Sequence, residues 1–304
     1  LKQCYVEKRF RDETLRQIYV INAIVEEYQA QGYVLTVRQL YYQLVARGYI
    51  DNTLQEYKRV ASTINDAKLA GLIDWDAIED RTREFIRRTR WSSGASVIEA
   101  CAQQFHMDAW VNQPGRVFVI VEKEALVGVL EQTCLRYDVP LLAARGYPSG
   151  SVVREFADSD VTSALYRDQA VTILHLGDHD PSGIDMTRDL YQRIELFVDD
   201  PEYFGMVELK RIALTMDQVR EQRPPENPAK TTDSRFREYR RKFGDKSWEL
   251  DALSPEYLND LVESHITMEI NQARWNERQE EIEHVKKRLW DAYFTFKLEE
   301  DGGK

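Results

Sequence analysis

Two apolar runs in this chain end in carboxylates. Val117-Phe-Val-Ile-Val121 is closed by Glu122, and Thr172-Ile-Leu-His-Leu-Gly177 by Asp178 and Asp180. Alternate residues of an extended chain point the same way, so the two aspartates can face one point. Three carboxylates meeting at the C-terminal edge of a parallel sheet form an all-oxygen donor set suited to a hard cation such as Mg²⁺. A metal held there can act on phosphate. Asp180-Pro-Ser-Gly183 is also ordinary turn chemistry. The context favours the cation site, because both motifs follow apolar strands and precede helices. His179 points away from its neighbours on an extended strand and is not counted as a ligand. Glu124 and Asp185 are assigned to helix N-termini, where negative charge is favoured.

Tyr42 is a candidate nucleophile. Tyrosine attacks poorly at its ordinary pKa of about 10. A nearby cation would lower that value and steady charge on an attacked phosphate. Arg38 lies one helical turn before Tyr42 on the same face, whereas Tyr41 is rotated towards a core. Taken alone, an arginine four residues before a tyrosine equally describes a tyrosine that simply packs.

The elements that must position these residues follow from periodicity. Residues 5–32 read as a helix with Ile18, Ile21, Ile24 and Tyr28 on one face, ended by Gly32. Thr36 caps a second helix that stops at Gly48, and residues 57–70 form a third, ended by Gly71. Residues 72–75 read as a short strand. Short helices with a small hairpin are the pattern of a winged helix-turn-helix. Residues 81–113 read as a joining region. From Arg116 strand and helix alternate: strands at 117–121, 140–144 and 171–176, helices at 126–137, 152–165 and 184–197. That order implies an α/β fold with a parallel sheet flanked by helices. Residues 207–214 add a strand, 223–233 a mobile loop, and Pro255 opens a helix. A long charged helix is expected over 266–298, with Ile282, Val285, Leu289, Ala292 and Phe296 as a narrow stripe that suits packing on another helix. The organisation expected is an N-terminal winged-helix domain over 1–90, a linker over 91–115, and a metal-binding domain with a C-terminal helical extension over 116–304.

Bulk properties set the class. The 304 residues are 43% hydrophobic and 31% charged, an ordinary globular balance sufficient for two cores. No apolar run approaches the ~20 residues of a membrane helix. Cys4, Cys101 and Cys134 are far apart, which argues against a zinc site or a disulfide framework. The opening residues are charged and lack the layout of a signal peptide, so a cytoplasmic protein is the expectation. A net charge of −11 excludes a polycation that coats nucleic acid, but not a local basic groove. Candidate phosphate contacts are Lys58, Arg59 and Lys68, Arg87 and Arg88 in the basic run 81–90, and Arg240 and Arg241 in the run 235–242.

Arg38-Gln-Leu-Tyr-Tyr42, Val121-Glu122-Lys-Glu, Gly146-Tyr-Pro-Ser and Asp178-His-Asp180-Pro-Ser-Gly183, in that order, resemble the catalytic A subunit of type IIB DNA topoisomerases (topoisomerase VI) and the related meiotic recombination endonuclease. The glutamate and the paired aspartates alone mark only a Toprim domain, a superfamily that also holds primases and hydrolytic nucleases. The tyrosine motif makes the match specific. Arg211-Ile-Ala-Leu and Trp248-Glu-Leu-Asp-Ala-Leu253 resemble the end of that family's Toprim domain. The resemblance implies that Tyr42 attacks a phosphate of double-stranded DNA and becomes linked to the 5′ end. It further implies that Arg38 assists, and that Glu122, Asp178 and Asp180 hold Mg²⁺. It implies a homodimer in which the tyrosine of one subunit meets the metal of the other. The chain itself carries no ATPase domain, so strand passage would need a separate GHKL-type ATPase subunit as partner. Two other readings stand beside this one. One is a Toprim nuclease that hydrolyses DNA or RNA without a covalent intermediate. The other is a non-catalytic DNA-binding dimer subunit, against which the complete acidic trio argues.

Overall fold

In the computed structural model, residues 2–79, 91–198, 200–203 and 205–302 are described. The N-terminal third is helical. Helix α1 (Asp12–Ala30) buries Ile18, Ile21, Ile24, Val25 and Tyr28. It starts later than its apolar spacing suggests, because the preceding residues pair with the end of another helix. Tyr5 N donates to Leu69 O at 2.8 Å, beside a bridge between Cys4 and Ala70. Thr36 and Gln39 form a reciprocal capping box that starts α2 (Val37–Ala46). Thr53 caps α3 (Leu54–Leu69) by accepting from Glu56 N, which begins that helix before residue 57. Gly71 ends it at φ +73°, where a side chain would also press on the Cys4 backbone.

The expected strand at 72–75 does not form. Asp74 instead caps a short 3-10 turn, Trp75–Ala77. The two-stranded element described here joins β1 (Leu35–Thr36) to β2 (Ile78–Glu79) in parallel, so it is not a hairpin. Residues 80–90 lie outside the described part of the chain, and with them Arg87 and Arg88. The expected linker over 91–115 contains a helix, α4 (Gly94–Gln104), opened by a Ser93–Ser96 capping box. Gly94 seats it against the Phe296 ring.

The remainder is an α/β unit. Strands β3 (Gly115–Val121), β4 (Leu141–Ala143), β5 (Ala170–Leu176) and β6 (Val207–Ala213) form one parallel sheet in the order β4-β3-β5-β6. Residues alternate between its faces with period two. Val117, Val119, Val121, Leu174 and Leu176 enter one core, with Leu130 of α5 (Val127–Arg136). Phe118, Ile120, Val171 and Ile173 enter the other. That second core is closed by α6 (Gly150–Phe156), a π turn (Ala157–Val161), α7 (Thr162–Leu165) and α8 (Pro181–Val198). Burial on both faces explains why the strands read as unbroken apolar runs.

After β6 come α9 (Met216–Gln222) and the segment expected to be a loop. That segment is partly ordered: β7 (Asn227–Pro228) pairs antiparallel with β8 (Lys246–Ser247), enclosing α10 (Phe236–Phe243). Pro255 opens α11 (Pro255–Met268) as expected. The long tail helix is two helices, because α11 stops and α12 (Gln272–Gly302) begins anew. Asn271 marks the break: its N–H donates to Gln113 Oε1 at 2.8 Å and its side chain accepts from Arg274 N at 3.2 Å. Of the expected stripe on α12, Ile282 is buried, whereas Phe296 is 38% exposed.

Leu174 has no exposed surface and Leu135 on α5 is 71% exposed. Leu174→Ala should therefore cost about 2–5 kcal/mol, and Leu135→Ala less than about 0.5 kcal/mol, in urea unfolding monitored by circular dichroism.

Candidate functional site: an acidic edge under a basic rim

In the strand order β4-β3-β5-β6 the chain leaves β3 to one side and returns on the other. The carboxyl ends of β3 and β5 therefore flank a switch point, where open α/β sheets bind ligands. Val121 is level with Leu176 in the register, so the residues that follow, Glu122 and Gly177-Asp178, emerge together. Glu122 N donates to Leu176 O at 2.8 Å, and Glu122 Oε2 accepts from Asp178 N at 2.9 Å. Asp180 caps α8 through Oδ1, which accepts from Gly183 N at 2.6 Å and Ser182 Oγ at 3.0 Å. The turn chemistry and the acidic site are thus the same residues. Asp178 Oδ1 accepts from Leu250 N at 2.8 Å.

Glu122, Asp178 and Asp180 line one cavity of about 570 Å³. Arg38, Lys123, Arg145 and Lys230 line it too, so a basic rim faces the acids. Each acid of the trio has one oxygen tied to backbone. Among the described residues, no hydrogen bond engages Glu122 Oε1 or Asp180 Oδ2. The third outer oxygen, Asp178 Oδ2, meets Lys123 Nζ at 3.0 Å. Among the described residues no three such side chains already converge at coordinating distance. An all-oxygen set with two outward oxygens and a third under a displaceable ammonium fits a hard cation.

The charge is balanced from below and from the side. Arg211 of β6 lies half-buried beneath the acidic loop, donating to Gly177 O at 2.8 Å, Asp178 O at 2.6 Å and Gly183 O at 2.9 Å. It also donates to Thr187 Oγ1, which lies 2.9 Å from Nδ1 of the fully buried His175. Burial pulls the Arg211 guanidinium down to about 10, and His175 down to about 3. Lys123 is held by Asp178, by Glu249 Oε2 at 2.9 Å and by Asp251 Oδ1 at 2.8 Å. Burial opposes its charge, but Asp251, Asp178 and Glu249 outweigh burial and keep it above the ordinary lysine value. Burial raises Asp178 to about 7 against the pull of Lys123, and raises Glu122 as well.

Arg38 and Tyr42 sit on α2 as expected, one turn apart, with the guanidinium 5.9 Å from the tyrosine ring. Their environment differs from the expectation. Arg38 pairs with Glu249, and its Nε lies 2.9 Å from Asp251 Oδ2. Tyr42 is 3% exposed and feels the charges of both Asp251 and Glu249. Burial, then Asp251 and Glu249, raise the phenol's pKa, and the lowering by Arg38 is smaller. The neighbouring cation does not activate this tyrosine, because two carboxylates stand beside it. Tyr42 lines a second cavity of about 220 Å³ that shares Arg38, Asn227 and Glu249 with the first. Tyr41 takes a packing role, its hydroxyl bonded to Asn52 and Thr53 O.

The remaining candidates divide. His179 is turned away from the cavity, as expected. It stands among Tyr239, Phe243 and Trp248, with Nδ1 2.8 Å from the Tyr239 hydroxyl. Glu124 pairs with Arg145, and Asp185 with Arg188, Arg235 and the Tyr147 hydroxyl. Lys58 and Arg59 are exposed on α3, and Arg240 and Arg241 on α10. Lys68 differs: its ammonium donates to Trp75 O and Ile78 O, an internal role that draws it from the surface. Lys123, Arg211, Glu249 and Asp251 were not singled out for the site from sequence. The run Trp248–Leu253 was the available signal for the last two. No family model matches the chain, and neither does any curated protein.

A Cβ on Gly183 would collide with the Asp178 carbonyl oxygen and approach Glu122 Oε2 at 3.1 Å. Gly183→Ala should destabilise by about 1–3 kcal/mol and weaken Mn²⁺ binding in calorimetry, since the acidic loop must shift. Glu249 gives a pH signature. Burial would raise its carboxyl, but Lys123, the Tyr42 hydroxyl and Arg38 hold it at about 2, below the ordinary 4.5. Its stabilisation is complete above the ordinary value and is lost as pH falls towards 2. The Tm of the wild type should therefore drop more steeply between pH 5 and pH 2 than that of Glu249→Gln, by differential scanning calorimetry.

Proposed function

We propose that this chain is a Mg²⁺-dependent DNA-cleaving enzyme of the type IIB topoisomerase A-subunit kind, with a winged-helix unit carrying Tyr42 and Arg38 and a Toprim unit carrying Glu122, Asp178 and Asp180. One observation carries the reading. Arg38, from a helix distant in sequence, lines the same cavity as the three carboxylates, and Tyr42 lines the cavity beside it. A cation on the trio would neutralise charge on a scissile phosphate and favour attack at phosphorus. The chain's own groups supply the rest. Arg38 steadies the phosphate, and Lys230 and Arg145 on the rim hold the flanking backbone. The Tyr42 oxygen forms the new bond to phosphorus as the 3′ oxygen departs with a proton. The 5′ end stays on the protein, and the ester conserves the energy needed for religation. Within one chain Arg38 and Tyr42 stand beside that chain's own acids; the reading includes a homodimer in which the tyrosine of one protomer is exchanged onto the acids of its partner. It also includes a separate GHKL-type ATPase where strand passage occurs.

A second reading keeps the metal site and omits the tyrosine. It is favoured by the burial of Tyr42 and by the charges of Asp251 and Glu249, which hold the phenol protonated. Hydrolysis by a metal-activated water would then leave free 5′ ends.

Incubation with supercoiled plasmid and Mg²⁺, stopped with detergent with and without protease, separates the two. The covalent reading predicts linear DNA that enters the gel fully only after proteolysis, and loss of cutting of at least about a thousandfold in Tyr42→Phe. Undiminished cutting by Tyr42→Phe, without an adduct, would leave only hydrolysis.

A further inference from the structure

Glu249 Oε2 accepts from two side chains at once, the Arg38 guanidinium of α2 and Lys123 Nζ at 2.9 Å at the acidic edge, and Glu249 lines a cavity together with Tyr42. Asp251, two residues on and fully buried, accepts from Lys123 Nζ at 2.8 Å and forms an ion pair with Arg38, whose Nε lies 2.9 Å from Oδ2. The 3-10 turn that holds Asp251, Leu250–Ala252, is buried and packs into the N-terminal core through Ala252. One short segment therefore holds groups from both units of the chain. Each group it holds is one that the proposed reaction needs elsewhere. The tyrosine oxygen must reach phosphorus, Arg38 must meet phosphate, and Lys123 covers an outer oxygen of Asp178.

The segment is attached in a way that permits release on its cavity side. It is preceded by the two-residue ladder of β7 and β8 and by a single bridge between His179 and Trp248. Asn52 Nδ2 ties Asn227 to the N-terminal unit at 2.7 Å. The Arg38 side chain is 44% exposed and that of Glu249 26%, so their pair borders solvent. A phosphate offers Arg38 a bidentate, doubly anionic-edged partner that a single carboxylate oxygen does not.

We propose that Glu249 is a resting-state latch: it restrains Tyr42 and Arg38 against the acidic edge until a nucleic-acid backbone phosphate takes its place on Arg38. The latch rests on the DNA reading for its trigger, but the restraint itself does not. Release of Arg38 uncovers the ring of Tyr42, over which the guanidinium now lies at 5.9 Å, while Lys123 stays with Asp178, Glu249 and Asp251. The nucleophile is thereby exposed only when substrate is present.

The test uses the full chain without DNA. Tetranitromethane nitrates accessible tyrosines, and peptide mass spectrometry locates the product. Tyr42 should react slowly in the wild type and at least about tenfold faster in Glu249→Gln. Glu249→Asp, which keeps the charge but withdraws it by one methylene, should shift the rate the same way. Glu124→Gln removes a charge from the same cavity without touching Tyr42, and should leave the rate unchanged. Equal nitration of Tyr42 in wild type and both Glu249 variants overturns the latch. For the trigger, duplex binding is followed by anisotropy across a salt series. Glu249→Gln should steepen the salt dependence by about one phosphate contact, and Arg38→Gln in that background should abolish the gain. No change in slope overturns the phosphate trigger. Failure of the cleavage reading is seen separately, in the plasmid assay with Tyr42→Phe.

Discussion

Negative charge concentrated at the ends of two adjacent parallel strands is the constraint around which this molecule is arranged. Glu122, Asp178 and Asp180 emerge side by side because β3 and β5 are in register and neighbours. Such a cluster is unfavourable unless each carboxylate is solvated by something fixed. Backbone N–H groups serve one oxygen of each acid, Arg211 lies beneath the loop, and Lys123 reaches across from the β3 side. Gly177 and Gly183 allow the backbone to close around these oxygens, where any side chain would intrude.

That neutralisation extends into the N-terminal unit. Lys123 is shared with Glu249 and Asp251, and those two hold Arg38. The chain of charges therefore runs from the sheet edge to α2 without a break. Removing any one member leaves a buried partner uncompensated, so the network specifies how the two units meet as well as stabilising them. It also helps set the state of Tyr42, whose phenol is kept protonated by burial, Asp251 and Glu249 rather than activated by Arg38.

The parts legible in the sequence are those with a local signature. Apolar runs such as Val117–Val121 gave away the strands because both faces are buried. The acids that end them were found from strand periodicity, and Thr36 and Pro255 were found as helix starts from capping chemistry. The parts that were not legible depend on contacts far apart in sequence. Glu249 meets Lys123 across 126 residues, and the run Trp248–Leu253 around it marks a resemblance without naming that partner. The expectation for Tyr42 considered Arg38, four residues away, and omitted burial and two carboxylates more than two hundred residues away, which together reverse its sign. Likewise the break between α11 and α12 follows from Gln113, which lies 158 residues before Asn271.

The acidic edge is proposed as the seat of a hard divalent cation. Anomalous diffraction from crystals soaked in Mn²⁺ tests this most directly. The account predicts one strong peak within coordinating distance of Glu122, Asp178 and Asp180, with the Lys123 ammonium moved off Asp178. A saturating soak that gives no peak there, with Lys123 still seated on Asp178, would contradict it.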